Sequence, residues 1–246
     1  MTPRETEGIP HHLIDIVSPS RAFTVSDYQS KGRKVIEKIL ARGNVPILCG
    51  GTGLYIRAIV DGLVIPEVPP NPRLRKELES LSAPKLYSML RKLDPGRSKQ
   101  IDKHNPRRLI RAIEIAKKLG RVPPLKFHPF RGEVLIIGVK KTKPQLKRLI
   151  HTRLSKRLKS GMVSEVRGLH QSGVSWKRLE GFGLEYREIA RFLQGRLTKA
   201  ECVSELEQNI NRYAKRQMTW FGHDTRVRWI TKKSGALRLA SFFLKS

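Results

Sequence analysis

Only two cysteines occur in the 246 residues, Cys49 and Cys202, far apart and without CxxC spacing. Their scarcity excludes a disulfide framework and a cysteine-based zinc site, and it fits a protein of the reducing cytoplasm. Acidic residues are also scarce: 21 Asp and Glu face 50 Lys and Arg, a formal net charge of +29 and a pI near 10.8. Self-repulsion on that scale destabilises a compact chain. The excess therefore points to a polyanionic partner, nucleic acid first and an anionic membrane surface second. No apolar stretch is long enough to span a bilayer, and the opening MTPRETEGIPHH lacks a signal peptide's apolar region. Internal repeats and low-complexity tracts are missing too. The hydrophobic share of 39% is sufficient for a packed core.

The punctuation of the chain predicts an α/β protein. An opening loop carries PHHLID at 10–15. Ser26 and Gln29 have capping-box spacing, Val35, Ile36, Ile39 and Leu40 recur at helical spacing, and Gly43 can end that helix. Residues 45–49 (VPILC) have the apolar run of a buried strand. They lead into Gly50-Gly51-Thr52-Gly53 and then a helical stretch at 54–60, an order typical of parallel sheets. The proline-rich segment at 65–72 marks a boundary. Beyond it the pattern predicts helices over 72–80, 84–93 and 106–119. A buried strand is expected at 134–139 (VLIIGV), with helices at 144–159, 162–171 and 184–194. A long helix over 199–221 opens on a Thr198/Glu201 capping box, and a strand at 227–230 and a closing helix follow.

Several residues have the chemistry for a site. Glycines between a strand and a helix allow backbone amides to approach a phosphate, with Thr52 adding a hydroxyl; a tight turn needing positive φ is the alternative. No Lys-Ser/Thr follows, so this is not a Walker loop. Arg107, Arg108 and Arg111 share a helix whose apolar stripe is Leu109, Ile113 and Ala116, a comb suited to sugar-phosphate contacts or simply a solvated face. Arg153 and Arg157 lie among Leu146, Ile150, Leu154 and Leu158. A partly buried arginine there needs an anion, either a structural carboxylate or a substrate pyrophosphate. Lys215, Arg216, Gln217, Met218, Thr219, Trp220 and Phe221 interleave cations with aromatics, as for stacking on unpaired bases, unless Trp220 is a core anchor. His11 and His12 have no third ligand at a useful spacing, and no Ser-His or Cys-His dyad is apparent.

In chain order the blocks are PHHLID, GGTGLY, an asparagine followed by RRLIRAIEI, RLSKRL, GLEYRE and YAKRQMTWF. That succession, spanning residues 8–230, resembles the tRNA dimethylallyltransferase (tRNA isopentenyltransferase) family. The resemblance implies a P-loop nucleotide-kinase-like parallel-sheet core over residues 1–62 and 133–246. Residues 63–132 would be an inserted helical domain that grips the tRNA anticodon stem-loop. The implied reaction moves a dimethylallyl group from dimethylallyl diphosphate to the exocyclic amine of the adenosine 3′ of the anticodon, on a flipped base. Magnesium would accompany the diphosphate. Carried over by motif, Thr52 lies in the reaction channel and Arg157 holds pyrophosphate. Arg75, Arg107, Arg108 and Arg111 fall on tRNA-contacting positions. So do Phe182, Gly183, Leu184, Glu185, Tyr186 and Arg187, and the run Lys215, Arg216, Gln217, Met218, Thr219, Trp220, Phe221 and Gly222. A cytoplasmic monomer is expected.

Two family motifs, a GPTxSGKT P-loop and a DSxQVY segment with the proposed general-base aspartate, have no counterpart in the 246 residues, and Met1 falls just before PHHLID. Smaller departures are Asn211, where the family often has threonine, and Gly222, where a basic residue is common. The expectation is thus an N-terminally truncated core that binds tRNA but does not prenylate it alone. The alternative function is a catalytically inactive tRNA-binding remnant. A small-molecule kinase of the P-loop class explains neither the missing loop nor the charge.

Overall fold

The computed structural model describes residues 6–245. The chain divides into two compact units, an inserted one, Asp61–Pro129, and one assembled from the segments on either side. None of the described helices is long and apolar enough to cross a membrane.

The larger unit opens with α1 (Val25–Leu40). Its cap differs from the Ser26/Gln29 expectation. Thr24 is extended and its hydroxyl accepts from the Asp27 amide, while the Asp27 carboxylate accepts from the Thr24 amide at 2.8 Å. Gln29 lies a turn further in, and its amide donates to the Ala58 carbonyl at 2.6 Å. That bond, with the Tyr28–Tyr55 ring stack at 4.4 Å, ties α1 to α2 (Gly53–Val60).

Between these helices, residues 45–49 form no strand, contrary to the apolar-run reading. Ile47 is 85% exposed, and Val45 and Leu48 are exposed as well. A strand is held by neighbours that accept its ladder bonds. Among the described residues, sheet pairing joins only β1 (Ile136–Val139) and β2 (Val227–Ile230). These pair in parallel, with Ile136 opposite Val227 and Val139 opposite Ile230. The expected 134–139 strand is thus two residues shorter, half-buried at 136–138 and exposed at Val139.

Parallel strands need a long crossover, supplied here by α7 (Lys143–Lys159), α8 (Met162–Gln171), α9 (Trp176–Phe182), α10 (Leu184–Leu193) and α11 (Lys199–Gly222). Their inward residues Leu154, Val166, Leu179, Ile189 and Leu206 form the main core. The Thr198/Glu201 capping box starts α11 as its spacing predicts. The unforeseen α9 has only seven residues and little periodicity, and its start is fixed by Ser175 accepting from the Arg178 amide. A last helix, α12 (Lys233–Phe243), follows β2.

The inserted unit is helical: α3 (Pro72–Glu79), α4 (Ala83–Leu93), a single turn α5 (Pro95–Ser98) and α6 (Pro106–Leu119). Asn71, Asp94 and Asn105 each accept from an amide of the first turn, and each is followed by a proline, whose missing N–H costs nothing at that position. Leu78, Leu86, Leu90, Leu109 and Ile113 are fully or almost fully buried and make its core. The buried Asp94 carboxylate also accepts from the Val122 amide at 2.8 Å, which fastens the chain after α6. Those backbone hydrogen bonds, led by Arg97, hold its carboxyl below the ordinary value despite burial.

Candidate functional site

The glycines of the 50–53 turn do not owe their place to positive φ, since the left-handed glycines lie elsewhere. Gly51 and Gly53 instead allow a close approach, whereas a Cβ on Gly50 would meet nothing within 4 Å. A Cβ built on Gly51 would stand 2.0 Å from the Gln217 amide nitrogen, and one on Gly53 would stand 2.2 Å from the Trp220 indole nitrogen. Both partners project from the last turns of α11. Between the glycines, the exposed Thr52 hydroxyl lies 3.3 Å from the Tyr213 hydroxyl, also on α11. Residues some 160 positions apart are thereby drawn into one surface. Trp220 remains 42% exposed, so it is not the core anchor that the sequence left open. Lys215 and Arg216 are exposed, with the Arg216 guanidinium over the Tyr213 ring at 5.6 Å. Met218 and Phe221 are half-buried, while Thr219 and Gly222 are exposed.

A second group of predicted residues gathers where α7, α8 and α10 meet. Arg157 donates to the Glu185 carboxylate at 2.6 Å, and its side chain is 35% exposed. A structural carboxylate is therefore one real partner of this arginine, and a solvent-facing portion is left over. Arg153, expected to share that environment, is exposed, because one turn earlier its side chain clears the leucine face. Tyr186 donates to Glu165 at 2.5 Å, and its ring meets Phe182 edge-on at 5.5 Å. Burial first, then the Glu165 hydrogen bond and charge, push the Tyr186 phenol up to about 12. Arg187 reaches back to the Glu180 carbonyl at 3.2 Å.

Gly183 and Leu184, which join α9 to α10, both have positive φ, 76° and 40°. A leucine is strained there, and such strain persists only where the surroundings fix the backbone. The Arg157–Glu185 and Tyr186–Glu165 contacts on the next two residues provide that fixing. Helix α7, which carries Arg157, packs on α11, which carries the Tyr213 that meets Thr52, and His151 Nδ1 meets the Glu207 carboxylate between them.

The arginine comb lies in the inserted unit and separates into two kinds. Arg107 and Arg108 are exposed. Arg111 and Arg75 instead converge on Glu114, a residue that sequence reasoning passed over. Its only visible signal was a carboxylate on the arginine face of α6.

A family model described as IPP transferase matches residues 1–224. The chain belongs to that family. It is 44% identical over 230 residues to tRNA dimethylallyltransferase 1 of Syntrophus aciditrophicus (strain SB), covering 91% of this chain and 75% of the relative. To the tRNA dimethylallyltransferase of Carboxydothermus hydrogenoformans it is 35% identical over 238 residues, 92% and 76% of the two chains. The crystal structure of the full-length tRNA isopentenylpyrophosphate transferase from Bacillus halodurans superposes with a TM-score of 0.70 at 31% identity, covering all of this chain and 80% of that one. The fold is accordingly that of the family's α/β enzymes.

Gly53→Ala supplies one test of the turn. The substitution suits a first helical position, so stability should stay within about 1 kcal/mol. The new methyl must displace Trp220, and its fluorescence, read in a Trp176→Phe/Trp229→Phe background, should shift to the red. Unchanged emission refutes the close-approach account. Tyr186 supplies another. A phenol raised in the folded state stabilises fully below its unfolded pKa near 10 and loses that contribution as pH rises through about 12. The stability gap between the parent and Tyr186→Phe should therefore shrink between pH 10 and 12 in urea titrations. A constant gap contradicts this.

Proposed function

We propose that this chain is a tRNA prenyltransferase. It moves dimethylallyl from dimethylallyl diphosphate to the exocyclic amine of the adenosine 3′ of the anticodon. The C–O bond to the diphosphate breaks, an N–C bond forms, the amine loses a proton and pyrophosphate leaves. The observation that carries this reading is the meeting of the glycine turn with the end of α11. A hydroxyl pair, Thr52 and Tyr213, there lies beside a half-exposed indole and exposed cations. An unstacked base needs an aromatic face and hydrogen-bonding groups of this kind. The family membership favours transfer over an inactive tRNA-binding remnant.

Within this proposal Arg157 takes the departing pyrophosphate. A guanidinium can hold one carboxylate and still present N–H groups to a second anion, and Arg157 is both paired and partly exposed. The exposed Arg107 and Arg108, with Arg75 and Arg111, grip the stem-loop through its phosphates. The segments 182–187 and 215–222 line the RNA path. The family's P-loop and general-base aspartate are not among these residues, so no step is assigned to them. Magnesium fits poorly as a cargo of this chain's own side chains. Among the described residues no three His, Cys, Asp or Glu converge. Its expected place is on the diphosphate oxygens, as is usual for this ion. The proposed setting is the cytoplasm, and the proposed state a monomer.

The experiment is nucleoside mass spectrometry on tRNA incubated with dimethylallyl diphosphate and magnesium, using the 246 residues alone and extended by a family P-loop segment. Prenylated adenosine is expected with the extended form. Its absence from both, with tRNA still bound, would establish the inactive remnant. In the active form, Arg157→Ala should raise KM for the diphosphate about tenfold to a hundredfold, the scale of lost charged hydrogen bonds. The tRNA Kd should not move. A fall in tRNA affinity instead would reassign Arg157 to RNA binding.

A further inference from the structure

A carboxylate on an RNA-gripping surface works against affinity, since it repels the phosphates that the neighbouring cations attract. Glu114 lies on the face of α6 that carries Arg107, Arg111 and Lys118, at helical spacings of three and four. It is not a solvated acid. Its side chain is 1% exposed. Oε1 accepts from the Asn71 amide at 2.9 Å and from Arg75 Nε at 2.8 Å, while Oε2 accepts from Arg75 Nη2 at 2.7 Å and lies 3.4 Å from Arg111 Nη1. Arg111 Nη1 also donates to the Val68 carbonyl at 2.8 Å. Burial alone would push the Glu114 carboxyl up, but the Arg75 and Asn71 hydrogen bonds and the Arg75 charge outweigh it and hold it below its ordinary value.

Arg75 is on α3 and Arg111 on α6, and the residues that Glu114 links, Val68 and Asn71 included, belong to the proline-rich stretch before α3 and to those two helices. Their side chains are 37% and 32% exposed, so each guanidinium has one edge on protein and another facing water. An unrestrained arginine loses rotamer freedom, worth up to about 2 kcal/mol, when a ligand immobilises it. Here that cost is met in the free protein. We propose that Glu114 is a positioning residue for the RNA grip: it aligns the guanidinium groups of Arg75 and Arg111 so that their outer edges meet adjacent RNA phosphates. This rests on the RNA-binding reading of the inserted unit given above.

The two effects of Glu114 have opposite signs, which makes the test sharp. If charge alone matters, Glu114→Gln removes a repulsive charge and tightens RNA binding. If positioning matters, the same change weakens it. The full chain and a labelled anticodon stem-loop RNA would be compared by fluorescence anisotropy at several salt concentrations, with thermal melts to verify folding. Glu114→Gln should raise Kd about tenfold and flatten the salt dependence, because two phosphate contacts loosen. Arg75→Lys keeps the charge but loses the fork; it should weaken binding similarly, and it takes over the test where Glu114→Gln does not fold. Arg107→Ala, away from Glu114's bonds, tests the grip itself. If it weakens binding while Glu114→Gln, or Arg75→Lys in its stead, leaves binding unchanged or tighter, Glu114's role is overturned and the grip stands. If the parent chain does not bind the RNA, or Arg107→Ala has no effect, the grip fails and the proposal with it.

Discussion

The organisation of the larger unit depends on how closely α11 approaches the turn at 50–53. Gly51 and Gly53 offer bare backbone to Gln217 and Trp220 so closely that an added Cβ would force either side chain to shift. The consequence is chemical as well as steric. An indole packed on backbone keeps one face toward solvent, and a threonine between two glycines keeps its hydroxyl uncovered. The site is therefore made by omission of side chains, on a helix whose other end is anchored by the Thr198/Glu201 box and by Cys202 and Leu206 in the core.

The second constraint is charge. With acids outnumbered more than two to one, several carboxylates in each unit are used as internal fixtures. Glu185 holds Arg157, Glu114 holds Arg75 and Arg111, and the buried Glu188 accepts from Arg191 at 2.8 Å and from Asn209 at 3.1 Å. Removing the arginine of such a pair leaves a buried or mostly buried carboxylate uncompensated, which costs more than the pair gains.

What was legible in the sequence followed from local physics. Capping bonds set the starts of α3, α6 and α11 almost to the residue, because those bonds close within three or four positions, and Pro84 marks the first turn of α4. β1 and β2 pair in parallel, in keeping with the expected parallel sheet, although that expectation rested on the order of residues 45–60. Residues 45–49 misled because an apolar run reports a tendency to pair and says nothing about whether a neighbouring strand is in place. The reason for Gly51 and Gly53 was equally hidden. Close approach depends on residues 217 and 220, which no local window contains. Glu114 was invisible for a related reason: within α6 it is one acid among arginines, and its meaning comes from Asn71 and Arg75, about forty residues earlier.

The sequence posed a choice for Arg157 between a structural carboxylate and a substrate anion, and the structure shows the carboxylate, Glu185. Glu185 occupies one donor of a five-donor fork. It sits at the second position of α10, just after a glycine and a leucine held in left-handed backbone. That strain is maintained by the contacts that fix Glu185 and Tyr186, so the carboxylate is held in place as firmly as the arginine. The pairing of Glu114 with Arg75 has the same form on a different scaffold. In both cases a carboxylate holds one edge of a guanidinium while part of the side chain stays exposed, the part that the proposals above assign to a phosphate.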